Sequence, residues 1–82
     1  MEFINIGFGN MVNADRVCSI ISPTAAPVKR LVQTAKDNNL AIDATCGRKT
    51  KAVLVMENQS VVLSALLPET IVNRMQGQTD QG

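Results

Sequence analysis

Two nearly continuous apolar runs, Ala52-Val53-Leu54-Val55-Met56 and Val61-Val62-Leu63-Ser64-Ala65-Leu66, are separated only by Glu57-Asn58-Gln59-Ser60. No other feature constrains the fold as much. Runs of this length, rich in β-branched residues and joined by a short polar segment, read as a β-hairpin. A strand that is apolar at successive positions has no face to offer water, so both faces need cover. The whole chain has 82 residues to supply it, and a domain of this size buries only ~60% of the surface its unfolded form exposes. The sequence therefore predicts one small domain that is an obligate oligomer, with neighbouring subunits covering part of strands 52–56 and 61–66.

The other elements follow from local pattern. Glu2-Phe3-Ile4-Asn5-Ile6 alternates and is β-branched, then meets Gly7-Phe8-Gly9-Asn10, which reads as a strand and a tight turn. Arg16-Val17-Cys18-Ser19-Ile20-Ile21-Ser22 is a second strand, stopped by Pro23. A helix should begin near Pro27, because the residue before a proline, Ala26, is biased away from helical geometry. Val28, Leu31, Val32 and Ala35 then share a face until Asn38-Asn39 ends the helix. Leu40 to Ala44 alternates as a third strand, and Pro68-Glu69 opens a short helix over 68–75. The order β-β-α-β-β-β-α makes an α+β fold, a small, mostly antiparallel five-stranded sheet with two helices. Residues 1–75 form the domain, and the polar tail 76–82 is expected to be disordered.

Composition excludes much chemistry. The chain has no His, Trp or Tyr, which removes an imidazole base, a Ser-His or Cys-His pair and a His-containing zinc site. Cys18 and Cys46 match neither a C-x-x-C motif nor half a metal site, so both read as free thiols. For Cys46 to be a phosphatase-like nucleophile, position 52 would have to be Arg, and it is Ala52. Gly7-Phe8-Gly9 lacks the third glycine and the following helix of a dinucleotide fingerprint. No enzyme activity, metal, cofactor or small-molecule substrate is expected. The start lacks a basic n-region and a long apolar run, and no apolar run approaches a membrane span, so a cytoplasmic protein without membrane partners is expected.

The net charge is only +1, but Arg48-Lys49-Thr50-Lys51 places three cations in four residues, with no acidic residue closer than Asp43 and Glu57. If the flanking strands form a hairpin, these side chains sit at its open tip and can reach phosphate oxygens. Arg16, beside Asp15, either pairs locally or extends a basic face. Lys29 and Arg30 lie in the first turns of the helix, where the macrodipole gives cations no advantage.

The blocks F-I-N-I-G-F-G-N-M-V-N-A-D-R, S-P-T-A-A-P-V-K-R, I-D-A-T-C-G-R-K-T-K-A-V and L-L-P-E-T-I-V-N-R together resemble the RemA family of bacterial extracellular-matrix regulatory proteins, over about residues 3–74. The resemblance implies a small DNA-binding transcriptional regulator, typically an activator of biofilm-matrix genes. It implies a ring-like homo-oligomer that engages duplex DNA around its periphery and a fold like that of LytTR-type DNA-binding domains. The family's DNA-contacting arginines match Arg16 and Arg48, and a second loop arginine corresponds to Lys49. Lysine keeps the charge for a phosphate contact but lacks the planar fork that reads guanine. Lys51 likewise stands where relatives commonly have arginine. The alternatives are an RNA-binding ring, which the scarcity of stacking aromatics disfavours, and a structural or adaptor oligomer, which the near-neutral charge would suit.

Overall fold

The computed structural model describes residues 2–77. The N-terminal segment folds back on itself, β1 (Phe3–Asn5) pairing antiparallel with β2 (Met11–Asn13) so that Ile4 lies opposite Val12. The sequence predicts the strand and the turn but not β2. Three residues are too few for alternation to register, and β2 is a strand only because pairing with β1 buries Val12 beside Ile4. A 3-10 turn, Ala14–Arg16, follows, so Arg16 belongs to this turn and not to the strand expected to begin there.

The remaining elements are β3 (Val17–Ile21), α1 (Ala26–Asp37), β4 (Ala41–Asp43), β5 (Ala52–Met56), β6 (Val61–Ser64) and α2 (Pro68–Met75). The two apolar runs do form an antiparallel hairpin, Ala52 opposite Ser64 and Val55 opposite Val61. They occupy the middle of a sheet ordered β3-β5-β6-β4. β4 pairs with β6 in parallel, Ile42 opposite Val62. The single five-stranded sheet expected from sequence is thus corrected to six short strands in a four-stranded and a two-stranded sheet. Strands 40–44 and 52–56 do not form a hairpin. The α+β class, the two helices and the predominance of antiparallel pairing hold.

Alternation along β5 and β6 then sorts the core into two faces. Ala52, Leu54 and Val62 pack with Ile4, Ile6, Val12 and Ile71, on the side carrying the β1–β2 hairpin and α2. Val53, Val61 and Leu63 pack with Ala35, Val28 and Val32, on the side carrying α1. The molecule therefore has three layers, and β5 and β6 are covered within one chain. Only the end of β5, Val55 and Met56, stays half-buried. The exposed apolar side chains lie elsewhere, among them Met11 at 53% and Ile42 at 57% exposure.

Helix α1 starts at Ala26, one residue before the sequence places it, with Pro27 in the first turn where its missing N–H is not required. It ends as expected at Asn38 and Asn39, the latter left-handed at φ 60°. Ala65 and Leu66 fall outside β6, because the fully buried Ser64 turns the chain. Its hydroxyl donates to the Ile6 carbonyl at 2.8 Å and accepts the Leu66 N–H at 3.1 Å, tying the N-terminal hairpin to the sheet. Gln76 and Gly77 follow α2 with hydrogen bonds to the Val72 and Arg74 carbonyls; of the expected tail, residues 78–82 lie outside the described residues. No helix among those described is long and apolar enough to cross a membrane.

Candidate nucleic-acid interface

Because β4 and β6 are parallel while β5 runs the other way, the segment between β4 and β5 must arch over the C-terminal end of β6. It is anchored at both feet: the Ala44 N–H donates to the Leu63 carbonyl at 2.9 Å and the Lys51 N–H to the Ser64 carbonyl at 2.8 Å. Arg48, Lys49 and Lys51 are all exposed on this arch and line one shallow recess with Phe8, Ala65 and Leu66. The structure thus brings together the three loop cations singled out in the sequence, on a crossover arch and not at a hairpin tip. None of the three makes an ion pair among the described residues.

The arch is shaped by two local devices. The Asp43 carboxylate accepts the Thr45 N–H at 2.9 Å and the Thr45 hydroxyl at 2.6 Å, an Asx-type turn that starts it. Cys46 and Gly47 then both take positive φ, 55° and 79°, as the central residues of a type I′ turn do, and the Arg48 N–H closes it onto the Thr45 carbonyl at 3.0 Å. The Thr45 hydroxyl, the Thr45 N–H and, more weakly, the charge of Lys36 hold the Asp43 carboxyl below the usual carboxylate range, against a small opposing effect of burial. A depressed folded-state pKa stabilises the fold above the unfolded value, about 3.9, and that contribution is lost as pH falls through the lowered value. Wild type is therefore expected to lose thermal stability relative to Asp43→Asn below about pH 4, read as thermal midpoint against pH.

Phe8 was not among the sequence's candidate site residues. It reaches the recess from the turn between β1 and β2, and the Arg48 guanidinium carbon lies 5.9 Å from the centroid of its ring, a cation–π contact. The only hint in the sequence is a bulky aromatic set between two glycines.

Arg16 stands apart. Val17 pairs with Met56, so Arg16 lies at the far end of β5 from Lys51, a span of about 17 Å at ~3.3 Å per residue. Within one chain it does not join the arch cations. Its ion pair is with a residue distant in sequence, not with its neighbour Asp15: Arg16 Nη1 is 3.1 Å from Glu57 Oε2. With side chains 67% and 50% exposed, such a pair contributes at most ~1 kcal/mol. Glu57→Gln is accordingly expected to change stability by less than ~1 kcal/mol while freeing Arg16. If Arg16 contacts phosphate, duplex affinity rises in this variant, as a titration at constant salt would show.

Both cysteines are unpaired and exposed, and no group of three or more metal-ligating side chains occurs among the described residues. Comparison with known proteins agrees with the sequence pattern. The family model described as extracellular matrix regulatory protein A-like, RemA-like, matches residues 3–75. The chain belongs to the RemA-like family. This RemA-like chain is 66% identical over 74 residues to a protein of Lachnoclostridium phytofermentans named for a regulatory role, covering 90% of this chain and 81% of that one. Similarly named proteins of Brevibacillus brevis and Geobacillus kaustophilus are 49% and 50% identical over 81 and 80 residues, 94% and 92% of their lengths. The latter two matches extend over 99% and 98% of this chain, so they span the whole domain just described.

Proposed function

We propose that this RemA-like protein is a DNA-binding transcriptional regulator, an activator of extracellular-matrix genes, that works as a ring-like homo-oligomer in the bacterial cytoplasm. The observation that carries the reading is the braced arch with three exposed cations, Arg48, Lys49 and Lys51, unpaired among the described residues. Long cationic side chains on a fixed backbone suit phosphate contact, which positions a protein on a duplex without reading its bases.

One arch binds weakly by itself. Each neutralised phosphate contributes a slope of roughly −0.9 in log K against log salt, and a ring presents several arches to one duplex at high effective concentration. Repetition offsets the small charge of each monomer. The surface for self-association is the groove of about 650 Å³ lined by Met11, Ile42, Met56 and Val62 together with Arg16 and Glu57. Arg16 of one subunit then has the freedom to join a neighbour's arch, which it cannot do in its own chain. With no arginine-rich recognition helix, sequence preference rests on the shape and bendability of the DNA.

The test is retention of genomic DNA fragments followed by sequencing, with light scattering of the free protein and titration against salt. Enrichment of discrete duplex fragments, a steep salt slope and a mass several times the monomer's are expected. Preference for single-stranded RNA in direct competition would replace the reading with an RNA-binding ring. Absence of any salt-dependent nucleic-acid binding would leave a structural oligomer.

A further inference from the structure

We infer that Phe8 is a DNA-contacting residue of the same surface, its ring packing on sugars and base edges in the minor groove while Arg48, Lys49 and Lys51 hold the adjacent phosphates. The inference rests on the duplex-binding reading above and adds an apolar contact to what was otherwise a purely electrostatic site.

Three observations converge on this ring. First, its backbone is held where a side chain is disfavoured. Phe8 has φ 54° and its neighbours Gly7 and Gly9 have φ 109° and 78°. A residue with a Cβ pays a conformational penalty in the left-handed region that glycine does not, so a glycine at position 8 would form this turn more easily than phenylalanine does. Second, burial recovers only part of that penalty, since Phe8 remains 53% exposed. Its contact with Arg48, at 5.9 Å, is of the exposed cation–π kind, which is weaker than the left-handed penalty. A phenylalanine held in strained backbone with about half its surface left to solvent is the pattern expected where a function uses the side chain.

Third, the turn that carries Phe8 is rigid. The Ile6 N–H donates to the Asn10 carbonyl at 2.9 Å and the Asn10 N–H to the Gly7 carbonyl at 3.0 Å. The Asn10 side-chain amide also donates to the Gly7 carbonyl at 3.0 Å and to the Ala44 carbonyl, at the foot of the arch, at 3.3 Å. One amide therefore couples the Phe8 turn to the loop of cations, so the ring and the charges are presented as a unit. Gly7 is favoured by its backbone, since φ 109° is a conformation that residues with a Cβ rarely adopt, while the Leu66 side chain at 3.4 Å would be only an ordinary contact. An apolar side chain sharing one recess with three cations matches the chemistry of the minor groove, where apolar residues pack on sugars or press between bases while nearby cations neutralise the backbone.

The experiment compares Phe8→Ala, Phe8→Gly and Phe8→Trp with wild type in duplex titrations over a salt series, with thermal midpoint and oligomer mass measured on the same samples. Phe8→Ala and Phe8→Gly are expected to bind about tenfold more weakly for each subunit engaged, the range of losing one aromatic–nucleotide contact. The slope of log K against log salt should not change, because an apolar contact releases no counterions. Phe8→Gly should show this loss with a thermal midpoint no lower than wild type, and Phe8→Trp should retain affinity. Wild-type affinity in Phe8→Ala would overturn the inference. So would a salt slope that falls as in Arg48→Ala, which would make Phe8 only a support for Arg48, or a changed oligomer mass, which would make it a subunit contact. Wild type that does not bind duplex DNA at all removes the functional reading and this inference together, an outcome distinct from the others.

Discussion

Arg48→Ala should weaken duplex binding by about fivefold for every subunit engaged at ~0.15 M salt, and flatten the salt slope by roughly 0.9 per engaged subunit, without changing oligomer mass. The estimate follows from counterion release: one lost phosphate contact of slope ~0.9 costs about 0.7 in log K at that salt. Because the ring repeats the change, two or three engaged subunits bring the loss to one or two orders of magnitude. The fold should be unaffected. Arg48 is exposed, and the arch is held by backbone bonds at Ala44 and Lys51 and by the Asp43–Thr45 turn, none of which uses the guanidinium. Losing the contact with the Phe8 ring costs at most ~1 kcal/mol at an exposed site. A mobility-shift or anisotropy titration at three or more salt concentrations reads both quantities. Unchanged affinity and slope would remove Arg48 from the interface.

Leu54→Ala should have the largest effect on stability, a loss of about 3–4 kcal/mol. Leu54 is fully buried on a central strand, with Ile20 opposite on β3 and Val62 opposite on β6. Its face packs against Ile4, Ile6, Val12 and Ile71, which reach it from the hairpin and α2. Those elements are themselves tied down, through the Ser64 hydroxyl among others, so the cavity left by truncation cannot readily collapse. A domain of this length has a total stability of only about 4–12 kcal/mol, and each kcal/mol moves the midpoint by roughly 4–8 °C. A fall of about 15–25 °C is therefore expected, checked by thermal denaturation at fixed protein concentration. Ile42→Ala, on the edge strand and 57% exposed, is the control and should change stability within about 0.5 kcal/mol under conditions where the chain is monomeric.

The two variants separate what could be read in the chain from what could not. Leu54 was legible as core because an uninterrupted apolar run rich in β-branched residues, beside a short polar spacer, reads as a strand buried on both faces, and the structure covers both. Where the cover comes from was not legible: it is α1 on one face and the β1–β2 hairpin with α2 on the other, within the same chain. β2 has too few residues to carry a period, and its pairing depends on a turn whose positive φ at Phe8 is not a preference of phenylalanine. The parallel pairing of β4 with β6 is likewise decided by contacts distant in sequence.

The candidate site divides in the same way. A cluster of cations at 48, 49 and 51 is visible in any string of residues, since charge density is local. That Arg16 lies at the far end of β5, paired with Glu57, and that Phe8 stands against Arg48, depend on strand order and on the crossover of the arch. By itself, then, the sequence determined the family, the α+β class, the buried hairpin within 52–64 and the basic loop, because each is carried by adjacent residues or by blocks in fixed order. Only the tertiary structure decided that the apolar excess is covered within one chain, which leaves Met11 and Ile42 as the exposed groove, and that one aromatic joins the cations. Those are contacts between segments far apart in the chain, and local propensity has no means of encoding them singly.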